Sequence, residues 1–331
     1  MRLITPGRLI MAGLVLVVVV LGLYIIPSNE YIFLPDTAHP VLPLVTVPNA
    51  HRPAKGGVYF VDVIVRKATI LEKLLGGIHE GADLYPANEV NPPGVNNAQL
   101  ERIDLQDMAT SQQVAAAVAE RADGLKVVIR QIGAEVEEVV PGGPSVGKLE
   151  PDDVVTGIDG KPVRNLAGLL QIMSTHTPGD TVAYSIRRGH RALVERIKTI
   201  ADPQNKKHAL VGIVPEPALD IHVPIPVKID AGGVGGPSAG VAFALEVLQL
   251  LGKNVLHGHK IAATGELAVN GAVEPIGGVK QKTIGARRAG VDAFLVPAGE
   301  NAQDARKVAD GLRIIPVKSF QQALHALATL R

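Results

Sequence analysis

Any covalent chemistry in this sequence must use oxygen or nitrogen, because none of its 331 residues is a cysteine. That removes thiol nucleophiles, thiolate metal sites and disulfide frameworks together, and leaves the redox compartment undecided. The most suggestive hydroxyl is Ser238, in Pro237-Ser238-Ala239-Gly240. Directly after it, Val241, Ala244, Leu245 and Leu248 recur at helical spacing, so a helix with an apolar stripe starts close to this serine. A serine at a helix amino terminus sits beside unpaired backbone N–H groups and the positive end of the dipole, where a developing oxyanion can be stabilised. Serine is equally a preferred capping residue, so position alone leaves both roles open. Two further segments follow it: Thr264-Gly265-Glu266, and Gly277-Gly278-Val279-Lys280-Gln281-Lys282.

Three other patterns are weaker. Gly142 to Lys148 fits the first seven positions of a phosphate-binding P-loop, but Leu149 stands where Ser or Thr must hold magnesium, and Glu150-Pro151-Asp152 follows in place of a long helix. A second Gly-Gly-Pro-Ser ends at Ser145, yet only Ser238 leads into an amphipathic helix. His257-Gly258-His259 lacks an accompanying carboxylate pattern and reads as a solvated turn. Arg287-Arg288 reads as a charged helix face without stacking aromatics, and Asp230 and Glu266 are given no catalytic role. With 33 basic against 32 acidic side chains and 47% hydrophobic residues, composition excludes both a disordered chain and a basic nucleic-acid surface.

The elements that must position these groups are legible as changes of texture. Leu9 to Ile26 is an uncharged apolar run of 18 residues, about 27 Å as a helix, and reads as a retained membrane segment more than as a signal peptide. Arg2 and Arg8 on its amino side orient the body outside the cytoplasm. Prolines 35, 40, 43, 48 and 53 suggest an extended spacer, with an edge strand as the other reading. Val58 to Val65 reads as a buried strand, Leu71 to Leu75 as the start of a helix, residues 79 to 104 as a long excursion, and Ser111 to Arg121 as a helix capped by Ser111.

From about Leu125 to Ile200, short strands alternate with glycine turns around one helix near Leu166 to Ser174. Val139-Val140-Pro141-Gly142-Gly143-Pro144-Ser145, then Gly147 to Val155 and the Asp159-Gly160-Lys161-Pro162 turn, resemble PDZ domains over about 75 residues. PDZ domains add extended peptides, often carboxyl termini, as a strand to a sheet edge. No glycine-rich carboxylate-binding loop is placed here.

Pro237-Ser238-Ala239-Gly240, Thr264-Gly265-Glu266 and the Gly-Gly-x-Lys-x-Lys segment, in that order, resemble the proteolytic domain of Lon-type serine proteases from roughly Ile229 to Pro297. The resemblance implies Ser238 as nucleophile, Lys282 as general base and Thr264 as the threonine that orients the lysine, with Gly236 and Ala239 in the supporting or oxyanion region. Lys282 falls on a small-residue face with Ala286 and Ala289, whereas Lys280 shares a face with Ile284 and Arg287, so Lys282 is better placed for burial. Burial is needed, since bringing a lysine pKa from about 10.4 to near 7.5 takes about 4 kcal/mol against the ammonium form. Many energy-dependent Lon proteases carry an acidic residue three positions before the serine, where this chain has Gly235.

The expected fold is α+β: an N-terminal transmembrane helix and a Lon-type proteolytic domain with an inserted PDZ-like β-rich domain. Its expected divisions are a stub and helix over 1–27, a spacer over 28–54, the first part of the catalytic unit over 55–124, the PDZ-like module over 125–203 and the rest of the proteolytic domain over 204–331. The order resembles membrane-anchored, PDZ-containing Lon-like proteases that lack the ATPase domain. That implies an ATP-independent, single-pass serine endopeptidase of the cell membrane acting on extracytoplasmic proteins. Peptide tails would bind the PDZ module, and neither cofactor, metal, nucleotide nor nucleic acid would be required. The contrasting expectation is a noncatalytic tether whose PDZ module binds client tails.

Overall fold

The computed structural model describes residues 6–76, 79–90 and 97–330, with the side chains of Pro6, Arg8, Leu9, Asn97 and Gln99 also outside the description. In chain order, the first part supplies α1 (Pro6–Ile25), β1 (Pro27–Pro40), β2 (Gly57–Thr69), α2 (Ile70–Leu75) and β3 (Asp83–Pro86). The middle part supplies α3 (Asn97–Ala122), β4 (Val128–Val139), β5 (Val154–Ile158), α4 (Leu166–Met173), β6 (Thr181–Arg188), β7 (Arg191–Lys198) and β8 (Ile213–His222). The last part supplies α5 (Gly240–Leu250), β9 (Lys260–Ala263), α6 (Val279–Arg288), β10 (Ala293–Pro297), α7 (Glu300–Lys307), β11 (Arg313–Val317) and α8 (Phe320–Ala328). Two compact units result, one from residues 1–92, 228–230 and 238–331, the other from 93–227 and 231–237.

In the first unit six strands form one sheet in the order β11-β10-β9-β2-β1-β3. The β9, β10 and β11 strands run parallel to β2, while β1 pairs antiparallel with both β2 and β3. The β10 strand is buried along its whole length, as expected for an apolar run in a parallel sheet covered by helices. Every residue of α5 is buried, so the amphipathic stripe expected after Ser238 is a helix enclosed on all sides. Val61, Ala262, Val279, Ala286, Phe294 and Val296 share a core that ties α6 to the sheet. The β2 strand and α2 fall where the apolar runs place them, and α2 is closed by a capping box between Thr69 and Glu72.

The proline-rich stretch is not a free spacer through Pro40. It forms β1, an interior strand whose partners flank it on both sides. Pairing moves from Pro35↔Val63 to Ala38↔Val61, so Asp36 and Thr37 together lie opposite the single residue Asp62. This is a β-bulge, and it absorbs the irregularity that proline introduces into a ladder.

No helix among the described residues is long and apolar enough to cross a membrane. The described side chains of α1 run continuously only from Ile10, about 24 Å of helix against a hydrocarbon core of about 30 Å. The expected membrane-crossing helix over Leu9 to Ile26 is therefore not supported. Arg2 and the side chain of Arg8, which carried the orientation, lie outside the described residues. Most described α1 side chains, Ile10, Met11 and Leu14 among them, are exposed.

The second unit contains an antiparallel sheet in the order β8-β4-β5-β6-β7. Ala134, Val136, Ile158, Leu169, Met173, Tyr184 and Ile197 fill its core between the sheet and α4. The expected strands at Thr181 to Arg187 and Ala192 to Thr199 and the helix near Leu166 are present within a residue or two. One boundary differs. The helix expected to start at Ser111 begins at Asn97 and belongs with this unit, so Ser111 is interior and donates its hydroxyl to the Pro237 carbonyl at 2.9 Å.

Candidate active site

A 3-10 turn, Pro237–Ala239, delivers the chain into α5 and places Ser238 one residue before its amino end. The serine is held by its own main chain. Its carbonyl accepts the Gly265 N–H at 2.8 Å and the hydroxyl of fully buried Thr264 at 3.1 Å. Thr264 is itself fixed at the end of β9, where its N–H donates to the Leu295 carbonyl at 3.0 Å. The threonine that the family resemblance assigns to the lysine is thus hydrogen-bonded to the serine backbone.

Lys282 comes from the first turn of α6. This helix lies close to β1 at Gly285, where a Cβ would strike the Asp36 carbonyl and the Val61 side chain, so glycine is what permits the approach. With α6 seated, Lys282 is 6% exposed and its Nζ stands 2.7 Å from Ser238 Oγ. As an ammonium it donates to that oxygen; as an amine at the same distance it can accept the serine proton. Burial pushes the lysine down to about 8, while the nearby Asp62 pulls it upward. Lys280, two residues earlier, is paired with Asp83 at 2.7 Å and remains 38% exposed. The small-residue face therefore selects the lysine that reaches the serine.

Segment 79–86 is clipped to the outer side of α6. Gln281 Nε2 donates to the Gly81 carbonyl at 2.9 Å and to Asp83 at 2.8 Å, and Arg287 and Arg288 pair with Glu80 at 2.6 and 2.8 Å. Arg287-Arg288 is thus a charged helix face, as the sequence suggests.

The other expected site residues are placed differently. Ala239 precedes α5, whose first N–H groups have no acceptor within the helix, which is the geometry an oxyanion requires. Gly236 belongs to the second unit, and its N–H is engaged by the Asp104 carbonyl at 2.7 Å. At Gly235 a side chain would meet Asp104 Cβ at 2.6 Å, which accounts for glycine where many relatives carry an acid. Sequence reading missed Asp62, the carboxylate that bears on Lys282. Its signal was a lone charge inside Val58-Tyr-Phe-Val-Asp-Val-Ile-Val65, a run otherwise built for burial.

The decoys resolve physically. Ser145 is buried and donates to the Val211 carbonyl at 2.6 Å, and the Gly142 to Lys148 segment is a series of turns, without a helix behind it to receive phosphate. His259 contacts Asp292 at 3.4 Å and is a surface pair. Among the described residues, Asp36, His39 and Asp62 alone bring three ligand-type atoms together, within 4.8 Å. His39 Nε2 contacts Asp36 at 3.5 Å and Asp62 at 3.4 Å, so contacts among the three account for their convergence as a charge cluster.

A hydroxyl at a helix start, a buried depressed lysine within hydrogen-bond reach and no second base at the serine define a serine-lysine hydrolase site. Comparison with known proteins agrees. Residues 193–329 match the Lon protease (S16) C-terminal proteolytic domain and residues 105–199 match the PDZ domain. Lon protease 2 of Bacillus subtilis (strain 168) is 34% identical over 185 residues, covering 55% of this chain and 30% of that protein. Lon protease of Rhizobium meliloti (strain 1021) is 34% identical over 197 residues, covering 56% of this chain and 23% of that protein. The chain thus spans a third or less of the length of these relatives. The PDZ domain of an SdrC-like protein from Listeria innocua is 25% identical, with a TM-score of 0.24, covering 26% of this chain and 96% of that one. These findings support a serine peptidase carrying a Lon-type proteolytic domain and a PDZ domain.

Proposed function

We propose that this protein is an ATP-independent serine endopeptidase that cleaves protein substrates selected by its PDZ module. The observation that carries the reading is the 2.7 Å contact between Lys282 Nζ and Ser238 Oγ inside a buried environment that favours the neutral amine. Lys282 takes the Ser238 proton as Oγ bonds to the peptide carbonyl carbon. N–H groups at the start of α5 hold the oxyanion, and the lysine returns the proton to the leaving amine. Water, activated by the same lysine, then releases the acyl-enzyme. The PDZ module receives peptide tails as an added strand and raises their local concentration. The exposed apolar side chains of α1 support residence at a membrane, with the body outside the cytoplasm.

The test is mass spectrometry of the purified chain incubated with an unfolded protein substrate, with and without ATP. Cleavage that requires Ser238, passes through an acyl adduct on that residue and is indifferent to ATP supports the reading. Equal cleavage by Ser238→Ala removes it, and clear nucleotide stimulation removes the ATP-independent part. A reporter fused after Arg331 that is active only inside the cytoplasm would remove the proposed orientation.

A further inference from the structure

Ser238 and Lys282 leave unexplained why two carboxylates and an imidazole gather beside a lysine that has to lose its proton. The gathering is built by the backbone. The bulge that sets Asp36 and Thr37 opposite Asp62 puts two acidic residues at one rung of the β1/β2 ladder, and His39 stands opposite Phe60 on the next. His39 Nε2 reaches both carboxylates, at 3.5 and 3.4 Å, and its ring lies 5.3 Å from that of Phe60.

The sheet face is also defined. Val61 and Val63 point toward α6, since side chains added at Gly285 and Gly278 would strike them. Phe60 points the other way, toward Phe243 of α5 at 6.1 Å. Alternation along the strand puts Asp62 with Phe60, on the side where α5 begins at Ser238. Lys282 reaches from α6 to that same serine.

We infer that Asp62, held by Asp36 and His39, is the counter-ion of the Lys282 ammonium and a positioning residue of the peptidase. The inference rests on the serine-lysine reading above and adds a third member to it. When Lys282 takes the Ser238 proton, the new positive charge forms beside an anion already in place. The proton stays on Lys282 until it passes to the leaving amine; Asp62 neither gains nor loses one.

The surrounding charges leave this pairing distinct. Ser238 faces the lysine from the start of α5, Asp62 from β2, and Asp36 and His39 from β1. Lys280 pairs with Asp83, Arg287 with Glu80 and Asp310, and Arg288 with Glu80; on α7, Asp304 pairs with Lys307. Burial raises Asp62 above the usual carboxylate range, His39 opposes that rise, and Asp36 adds to it. Asp36 therefore restrains the charge on Asp62, so removing either aspartate should move Lys282 in opposite directions.

The experiment measures acetic anhydride labelling of the Lys282 amine against pH in the full chain, read by mass spectrometry, with cleavage of an unfolded protein followed in parallel. Asp62→Asn should increase Lys282 labelling at pH 7 about threefold, because the ammonium loses its anion. Asp36→Asn should decrease it, and Asp62→Glu should return it toward wild type. Unchanged labelling in folded Asp62→Asn and Asp36→Asn, or a shift of the same sign in both, overturns the inference. If circular dichroism shows Asp62→Asn unfolded, Asp36→Asn decides alone: a decrease supports the inference, and no change or an increase overturns it. Labelling that shifts as expected in a chain without Ser238-dependent cleavage would instead remove the peptidase reading and leave the counter-ion standing.

Discussion

Thr264 donates its hydroxyl to the backbone carbonyl of Ser238 at 3.1 Å, so this threonine steadies the nucleophile's main chain. Thr264→Val keeps the shape and removes only that bond, while Gly265 N–H still serves the same carbonyl. The expected result is a fall in kcat of about tenfold, the scale of one lost hydrogen bond of about 1.4 kcal/mol. The acid limb of the pH profile should stay where it is. Steady-state kinetics across pH checks both points, and a displaced limb would show that the threonine acts on the lysine after all.

The pH profile itself follows from Lys282, whose ammonium is disfavoured by burial and whose pKa lies at about 8. Activity needs the neutral amine, so kcat/KM should rise with pH and be roughly fifty-fold lower at pH 6 than at pH 8. Stability runs with it. The folded pKa is below the unfolded value of about 10.4, so the unfolded chain binds more protons between the two, and this group's contribution rises with pH across that window. Below about pH 8 the folded protein carries the full cost of burying the ammonium. Lys282→Met should therefore be inactive yet more stable at pH 7, by up to about 3 kcal/mol, with the gain shrinking toward pH 10 in denaturant titrations.

The two serines in Gly-Gly-Pro-Ser contexts should separate stability from chemistry. Ser238→Ala should lower cleavage by at least about a thousandfold with little change in melting temperature, and Lys282→Ala should match it, since the two groups act as a unit. Ser145→Ala loses a buried bond to the Val211 carbonyl and should destabilise the PDZ-containing unit by about 1–2 kcal/mol while the cleavage of a short peptide stays intact. Lys280→Ala breaks only the partly exposed Asp83 pair and should be mild.

Gly285→Ala tests the seating of α6. The added methyl has to push the helix away from the Asp36 carbonyl and Val61, a strain of about 1–3 kcal/mol. Both melting temperature and kcat should fall, because the same displacement lengthens the contact between Lys282 and Ser238. Unimpaired cleavage would show that α6 tolerates the shift.

The motif that identified Ser238 and Lys282 was legible because each part has a local cause: a helix start, a strand end, and a helix face narrow enough for close approach. The strands of the second unit were equally plain, their alternation being interrupted by glycine turns. Other features depended on partners far away in sequence. The β1 strand looked like a spacer because its prolines suggested chain extension, and only β2 and β3 on either side make it a strand interior to the sheet. Ser111 looked like a cap because nothing local shows that its hydroxyl is committed to Pro237. Asp62 was visible as an odd residue in an apolar run, but its relation to Lys282 exists only once α6 lies on the sheet.

The division of the chain also sets an order in time. β1, β2 and β3 emerge first, but β9, β10, β11 and both dyad residues come from the segment after residue 237, with the whole PDZ-containing unit between. At about 5–20 residues per second, synthesis of that intervening stretch takes on the order of ten seconds, during which the first strands have no parallel neighbours. The nascent chain can therefore complete its peptide-binding module well before it possesses a hydrolytic centre. The topology delays the hazardous activity until synthesis is nearly finished, without a propeptide to remove.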